Sequence, residues 1–542
     1  MYGIIDFEGN LNNGDLASKF GIKLENAEEN PIGFYIFSDN VVAIENLIIS
    51  FDGFIYNFDQ LNSLLDKTID KINQDNLEND DVNDLNLNED SNNLKENINN
   101  LIENPNHCEL IANLIYYYYK LTDDLLVAVN TAISIIDGDY AIVAYDGENL
   151  AITRDEVGVM PLFCGFNKEN GVKGFSQDKK TLWKLGVKDE DIYDLKPGDI
   201  LYNWGLFENK ESILNKSLEM DLIDYKEKYL IYDNYLNLKE SYDVYKDLIF
   251  TNLIESVYKR INGLDKVGLI FSGGVDSSIL AIILKEIATQ REELIKQENS
   301  LNEGNDEFKG SEIKPLNIKL FAVGLENSQD INFSKKIAND LDLELEEIII
   351  NEDIIKRYVG NVLTAIEDAN VMKIGVGMTM FIASRFMAEE GYNVAISGQG
   401  ADELFGGYNR YLKHFEDNTL SDAYFALDSE IRHDIENMYH VNLERDYAVT
   451  NVNGVELRVP FLDKKLVTLA LDCPANYKIK DSEDILRKHI LRDVARDFDL
   501  PDYVCDRPKK AAQYGSGINK ILKKKVLKGF GIEEFVESLK NS

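Results

Sequence analysis

Residues Lys266–Leu284 read KVGLIFSGGVDSSILAIIL, and no other stretch constrains the chain as tightly. An apolar strand ends at Phe271, Gly273 and Gly274 follow, and an apolar helix begins at once. Glycines placed there let the backbone turn sharply and approach an anion, while the new helix offers free N–H groups and the positive end of its dipole. Ser272, Ser277 and Ser278 add hydroxyl donors. Asp276 would repel a bare phosphate, but it fits a site where Mg²⁺ bridges carboxylate and phosphates. The G-x-x-x-x-G-K-[ST] loop is absent and no lysine follows, so this is not a Walker A loop.

The surrounding sequence sets the context. Apolar strands (VGLIF, IKLFAVGL, NVAIS) alternate with helical stretches from about residue 241 onward, which predicts βαβ units and a parallel sheet. The run NVAIS leads into Ile396–Tyr408, ISGQGADELFGGY, where Asp402 is a second carboxylate able to complete a Mg²⁺ site. Residues 1–65 and 106–205 read mainly as strands. Leu47–Phe58 shows two β-rich runs around an Asp-Gly turn signal, Gly138–Asp155 a hairpin turning at Asp146 and Gly147, and Leu110–Leu121 a helix on a sheet. The expected division is a domain over 1–205, a polar linker over 206–240 and a second domain over 241–542. Acidic, Asn-rich sequence at about 66–104 and polar sequence at about 290–315 read as inserts, the first too poor in apolar residues to form a core.

Composition narrows the partners. Lys+Arg total 57 against 96 Asp+Glu, a net charge of −39, which argues against nucleic acid as the main partner. The four cysteines form no C-x-x-C pair, as expected of a reducing cytoplasm. The opening MYGIIDFEGN has no basic region typical of a signal peptide, and no apolar run approaches the roughly 20 residues of a membrane span.

The SGGVDSS and ISGQGADELFGGY blocks, with GVELRVPFLDK (Gly454–Lys464), ILRKHILR (Ile485–Arg492), FAVGL (Phe321–Leu325) and RPKKAAQYGSG (Arg507–Gly517), resemble the C-terminal domain of the class II, glutamine-dependent asparagine synthetases, across about residues 240–525. The first block resembles the loop of the PP-loop ATP pyrophosphatases. The resemblance implies a doubly wound parallel sheet and a carbon–nitrogen ligase forming AMP. ATP and Mg²⁺ would adenylate a carboxylate, best matched by aspartate, and ammonia would then give asparagine and diphosphate. It further implies that Ser272, Gly273, Gly274, Asp276, Ser277 and Ser278 grip pyrophosphate and that Asp276 and Asp402 bind Mg²⁺. Ile270, Val323, Ser397 and Gly398 would line the adenosine pocket, and Lys488 would stabilise charge on the α-phosphate.

Two departures bear on the substrate. Gln399 stands where many members carry a Glu linked to forming the acyl-adenylate; a Gln cannot act as a base near neutral pH, so Glu367, Asp368 or Glu403 would serve instead, or none is needed. Gly375 and Gly377 stand where bacterial members carry an Arg and hydroxyl residues, which implies a pocket lacking that cation. The alternatives are an amide ligase for another acid or amine, or a non-catalytic ATP-binding homologue acting as regulator or scaffold.

FDGFIYNF (Phe51–Phe58), ITRDEVGVMPLF (Ile152–Phe163) and LKPGDIL (Leu195–Leu201) resemble the family's N-terminal glutaminase domain, a four-layer αββα sandwich. Its reacting groups are missing. Tyr2 replaces the nucleophilic Cys, Asp52 and Phe54 replace an Asn and a Glu, and His107 replaces an Asp that holds the glutamine amine. The expectation is a degenerate domain without glutaminase activity, Cys108 and Cys164 being structural. Ammonia would come from solution or from a separate glutaminase partner, and family analogy suggests a homodimer.

Overall fold

The computed structural model describes residues 2–5, 34–38, 40–65, 67, 106–210, 212, 238–301, 313–416, 418–509 and 515–541. The acidic insert at 66–104, apart from Lys67, lies outside these residues, as do most of the linker and residues 302–312. The chain divides into two compact units, 1–212 with 540–542, and 213–539.

The first unit holds two antiparallel sheets. One has the order β2-β1-β8-β7-β9, from Phe34–Phe37, Tyr2–Ile5, Lys173–Ser176, Phe163–Phe166 and Ile192–Asp194. The other has the order β11-β10-β6-β5-β4-β3, from Gly205–Phe207, Ile200–Tyr202, Leu150–Arg154, Gly138–Tyr145, Leu47–Ile55 and Val41–Ile44. Every residue of β5 and β6 is buried, so both faces of the sheet are covered there. Helices α1 (His107–Thr122) and α2 (Leu125–Ile135) join the apolar core of this sheet, burying Leu110, Ile111, Leu114 and Ile115 against Phe51 and Ile142. A capping box fixes the start of α1: Asn106 accepts from Glu109 N, and the Glu109 carboxylate accepts from Asn106 N.

One turn expectation fails here. Asp52-Gly53 is not a turn; β4 runs straight through it, with Gly53 opposite Tyr140. Gly53 has φ +132°, and a Cβ there would lie 2.0 Å from the Asp139 carbonyl oxygen. The glycine serves close backbone approach inside a strand, a use that an Asp-Gly pair does not distinguish from a turn. The Asp146–Gly147 hairpin forms as the sequence suggests.

The second unit is built on a parallel sheet of order β14-β13-β12-β15-β16: Glu344–Ile349, Asn317–Gly324, Lys266–Ile270, Val394–Ile396 and Glu456–Arg458. In β13 every residue after Asn317 is buried, as a central parallel strand requires. The helices that matter for the site are α3 (Leu238–Arg260), α4 (Val275–Leu301), α5 (Gln329–Leu341), α6 (Glu352–Ile366), α7 (Val371–Glu389), α8 (Ala401–Phe405), α9 (Leu420–Met438), α10 (Glu444–Asn451), α11 (Lys464–Asp472) and α12 (His489–Asp497). The direction of strand succession reverses at β12/β15, which makes the carboxyl ends of these two strands a switch point where open α/β sheets bind ligands.

The polar sequence at 290–315 begins on a helix, because α4 continues to Leu301. Lys285, Glu286, Arg291, Glu292, Glu293 and Lys296 are strong helix formers and allow it. Helix α7 is long and apolar enough by composition to cross a membrane, yet 61% of its apolar window is buried within the fold. It packs against α6, α10 and β13, as a core helix does.

Candidate active site

A cavity of about 620 Å³ opens at that switch point. Ile270, Ser272, Asp276 and Ser277 line it from the end of β12, Val323 from β13, and Ser397, Gly398 and Gln399 from the end of β15. Gly273, Gly274 and Ser278 shape the loop without lining the cavity. Gly273 has φ +63°, and a Cβ there would stand 2.8 Å from the Ser334 backbone nitrogen. Ser277 Oγ donates to Gly274 O at 3.2 Å, closing the turn into α4. Ser278 is fully buried, and its hydroxyl has no hydrogen-bond partner. From the far side Arg507 donates to Ser272 O (3.0 Å) and Gly273 O (2.6 Å) and pairs with Asp330 (2.8 Å). Arg507 thus holds the loop by the carbonyls of Ser272 and Gly273.

The electrostatic centre is a knot of two carboxylates and two lysines. Lys488 Nζ donates to both oxygens of Asp276 at 2.8 Å. It also lies 2.6 Å from Asp402 Oδ1, an ion pair whose angle makes no hydrogen bond. Lys509 Nζ lies 2.5 Å from Asp402 Oδ2 and 3.4 Å from Asp276. Burial alone would raise the Asp402 carboxyl; the two ammonium charges outweigh it and hold the carboxyl well below the usual range. Burial would likewise lower Lys509, and Asp402 and Asp276 raise it above its ordinary value.

Lys488 is only 1% exposed, and it sits at the start of α12 rather than on a solvent face. Arg487 and Lys488 both hold φ near +54° (53° and 54°), a conformation costly for side chains with a Cβ. The chain accepts that strain in the turn that directs Lys488 inward. Lys509, which sequence reasoning missed, lines the cavity where Lys488 does not.

Two carboxylates that share one ammonium at 2.6–2.8 Å are close enough to share a small divalent cation. Mg²⁺ takes one or two carboxylates and fills its remaining positions with phosphate oxygens and water. Among the described residues no group of three or more His, Cys, Asp or Glu side chains forms a metal site.

The carboxylates considered as substitutes for a base at Gln399 separate by position. Glu403 and Asp368 line the cavity, and Glu367, left-handed at the end of α6, does not. Glu403 accepts from Asn442 Nδ2 at 2.6 Å and from the Tyr408 hydroxyl, and burial together with the Asp402 charge raises it above its usual value. Asp368 is paired with Lys373 at 3.0 Å. The cavity is not short of cations: Lys373, Arg410 and Arg445 line it. The expectation of a missing cation looked only at α7, whereas Arg445 comes from α10, distant in sequence and adjacent in space.

In the first unit the positions that departed from the glutaminase pattern are filled by packing. The His107 ring lies 4.4 Å from that of Phe54 and 5.0 Å from that of Phe58, and its Nδ1 accepts from Ile55 N at 3.3 Å. Burial pushes the Cys108 thiol up to about 12 and raises that of Cys164 further, so neither is poised as a thiolate. The motif Arg154-Asp155 is structural. Arg154 is fully buried and bonds Asp194, Leu195 O and Gly158 O, while Asp155 accepts from the backbone of Gly158, Val159 and Met160.

Comparison with known proteins agrees with this geometry. The asparagine synthase family profile matches residues 250–424 and 412–530. A Methanocaldococcus jannaschii chain named as a glutamine-hydrolysing asparagine synthetase is 37% identical over 452 residues, 75% of this chain and 74% of that one. The rat asparagine synthetase (glutamine-hydrolysing) is 25% identical, covering 72% of this chain and 66% of its own. Asparagine synthetase B of Escherichia coli is 27% identical, covering 71% of this chain and 61% of its own. Against these last two, the match spans slightly less than two thirds of the relative. The solved glutamine phosphoribosylpyrophosphate amidotransferase of B. subtilis matches at 11% identity over 57% of this chain and 72% of its own, with a TM-score of 0.22, too low to carry an argument. The site is a cavity at the switch point of a parallel sheet, lined from the carboxyl ends of its strands. The chain belongs to the asparagine synthase family.

Proposed function

We propose that this chain is an ATP-dependent ligase that adenylates the β-carboxylate of aspartate and passes ammonia to it. ATP is a substrate of the reaction: a carboxylate oxygen attacks the α-phosphorus, pyrophosphate leaves, the amine nitrogen then attacks the acyl carbon, and AMP leaves with loss of a proton. The observation that carries the reading is the Asp276–Lys488–Asp402–Lys509 knot beside the phosphate loop, in a cavity also lined by Ser397–Gln399. Preorganised charge at a buried site is the main means of lowering a phosphoryl-transfer barrier. Asp276 and Asp402 would hold Mg²⁺, which neutralises charge on the leaving pyrophosphate. Lys488 and Lys509 then give up carboxylate for phosphate oxygens. Ile270, Val323, Ser397 and Gly398 would receive the adenosine, and Gln399 would hydrogen-bond the reacting groups without accepting a proton.

Nitrogen is proposed to come from free ammonia or from a separate glutaminase partner. The N-terminal unit would be an αββα relic, with Tyr2 in place of a thiol and a cluster of packed rings, Phe54, Phe58 and His107, at the glutamine-binding positions. A second reading, an amide ligase for a different acid, is favoured by Gly375, Gly377 and Gln399. The test is pyrophosphate release with Mg·ATP, aspartate and ammonium, with each omitted in turn. Multiple-turnover release that requires all three, with asparagine formed in equal amount, is expected. ATP binding without release under any condition would sink the reading.

A further inference from the structure

Glu403 follows Asp402 on α8 and is only 2% exposed, yet it lines the cavity. Every other carboxylate lining that cavity carries a cation. Lys488 and Lys509 serve Asp276 and Asp402, Arg507 serves Asp330, Lys373 serves Asp368 and Arg410 serves Asp434. Glu403 has no such partner among the described residues. It is held by two neutral donors, the Tyr408 hydroxyl and Asn442 Nδ2 (2.6 Å), and both go to the same oxygen, Oε1. The charged groups that act on it are Asp402, which repels a second negative charge, and Lys488, which Asp276 and Asp402 already hold. A carboxylate buried without a counter-charge is strongly disfavoured, and a cation that reaches it removes the penalty.

We propose that Glu403, with Asn442 beside it, binds the nitrogen donor as an ammonium cation. The inference rests on the reading that this cavity adenylates a carboxylate, and it adds the form in which nitrogen enters. A ligase without its own glutaminase takes nitrogen from water, where near neutral pH it is almost all ammonium. The second oxygen of Glu403 and the Asn442 Oδ1 are acceptors suited to an N–H cation. Mg²⁺ is a poorer match, because it demands near-ideal octahedral oxygen geometry and Tyr408 and Asn442 already donate to the oxygen it would share. On leaving Glu403 the ammonium gives one proton to water. Its nitrogen then bonds the acyl carbon, the bond from that carbon to the AMP oxygen breaks, and a second proton leaves to give the amide.

The test uses the full chain, Mg·ATP and aspartate with two nitrogen donors. Ammonium is charged near neutral pH; hydroxylamine is mostly uncharged and attacks the same acyl carbon, releasing AMP and forming the hydroxamate. Glu403→Gln keeps an oxygen for Tyr408 and Asn442 and removes the charge. It should raise the KM for ammonium at least about 30-fold. ATP–pyrophosphate exchange with aspartate, and the KM for hydroxylamine, should stay within about threefold. In the unmodified protein the KM for ammonium, counted as both protonation forms together, should hardly change between about pH 6.5 and 8. A KM that falls about tenfold per pH unit would mean capture of neutral ammonia and overturns the proposal even if the variant does not fold. An equal loss with both donors also overturns it, as does a loss of exchange, which would put the acid's own amino group or Mg²⁺ at Glu403. Exchange that persists in Glu403→Gln with an unmoved ammonium KM overturns this inference alone. No exchange in the unmodified protein overturns adenylation and this inference with it.

Discussion

In the C-terminal unit the groups suited to chemistry converge: Asp276, Asp402, Lys488 and Lys509 meet within 2.5–3.4 Å beside the Ser272–Ser278 loop. In the N-terminal unit the motif residues that persist are the buried ones, Arg154 and Asp155 with their backbone partners. The positions that departed from the glutaminase pattern hold Phe54 and His107, whose rings pack at a tilt 4.4 Å apart. The contrast separates two reasons for a motif to be present. A buried arginine holding three carbonyl and carboxylate oxygens is required by packing whatever the domain does. A pair of carboxylates sharing lysines beside an anion loop has no such structural necessity, since apolar residues of similar volume pack as well.

The contrast can be broken at several points. Asp402→Asn leaves Lys488 and Lys509 facing one carboxylate instead of two; ATP–pyrophosphate exchange should fall at least about 10³-fold while the unit stays folded. An activity within tenfold of the parent would mean that the knot is structural, like Arg154.

Asp463 offers the opposite case in the same unit. It caps α11, pairs with Arg260 at 2.9 Å and with Lys259, and lies far from catalytic duty. Burial would raise its carboxyl, but the two cations outweigh burial and hold it below the usual range. Its stabilising contribution is therefore complete above about pH 4 and lost as the pH falls through the depressed folded value. Asp463→Asn should cost about 3–5 kcal/mol in denaturant unfolding at pH 7 and flatten the acid limb of the stability profile. An unchanged acid limb would remove Asp463 from the account.

Gly273→Ala forces a Cβ into the Ser334 backbone at a φ of +63°. A stability loss of about 1–3 kcal/mol with weaker ATP binding is expected, read by thermal shift with and without Mg·ATP. Tyr2→Cys should have the smallest effect: no measurable glutamine hydrolysis, because the new thiol would face a unit still carrying Asp52, Phe54 and His107. Hydrolysis restored by that one change would show a glutamine pocket intact beside the rings of Phe54, Phe58 and His107.

Local signals carried much of this architecture. The strand–glycine–helix passage at Lys266–Leu284 placed both the sheet and the anion loop, because a phosphate-binding turn leaves few other sequences possible. The Asp146–Gly147 hairpin was equally local. Features that depend on distant residues meeting were not legible. Lys509 and Arg445 look like ordinary charged helix or loop residues until the fold brings them to one cavity, and residue pattern alone did not tell Lys488 from its neighbour Arg487, which the family resemblance did and the ion pairs of Lys488 with Asp276 and Asp402 explain. Gly53 misled for the complementary reason: a glycine required by a neighbouring strand's carbonyl looks the same in sequence as one required by a turn.

The most direct test of the division between the two units is asparagine formation from Mg·ATP and aspartate with a single nitrogen source. With ammonium, asparagine and pyrophosphate are expected in equal amounts; with glutamine alone, neither. Asparagine formed from glutamine with matching release of glutamate would contradict the account, because it would require a working glutaminase where Tyr2, Phe54 and His107 stand.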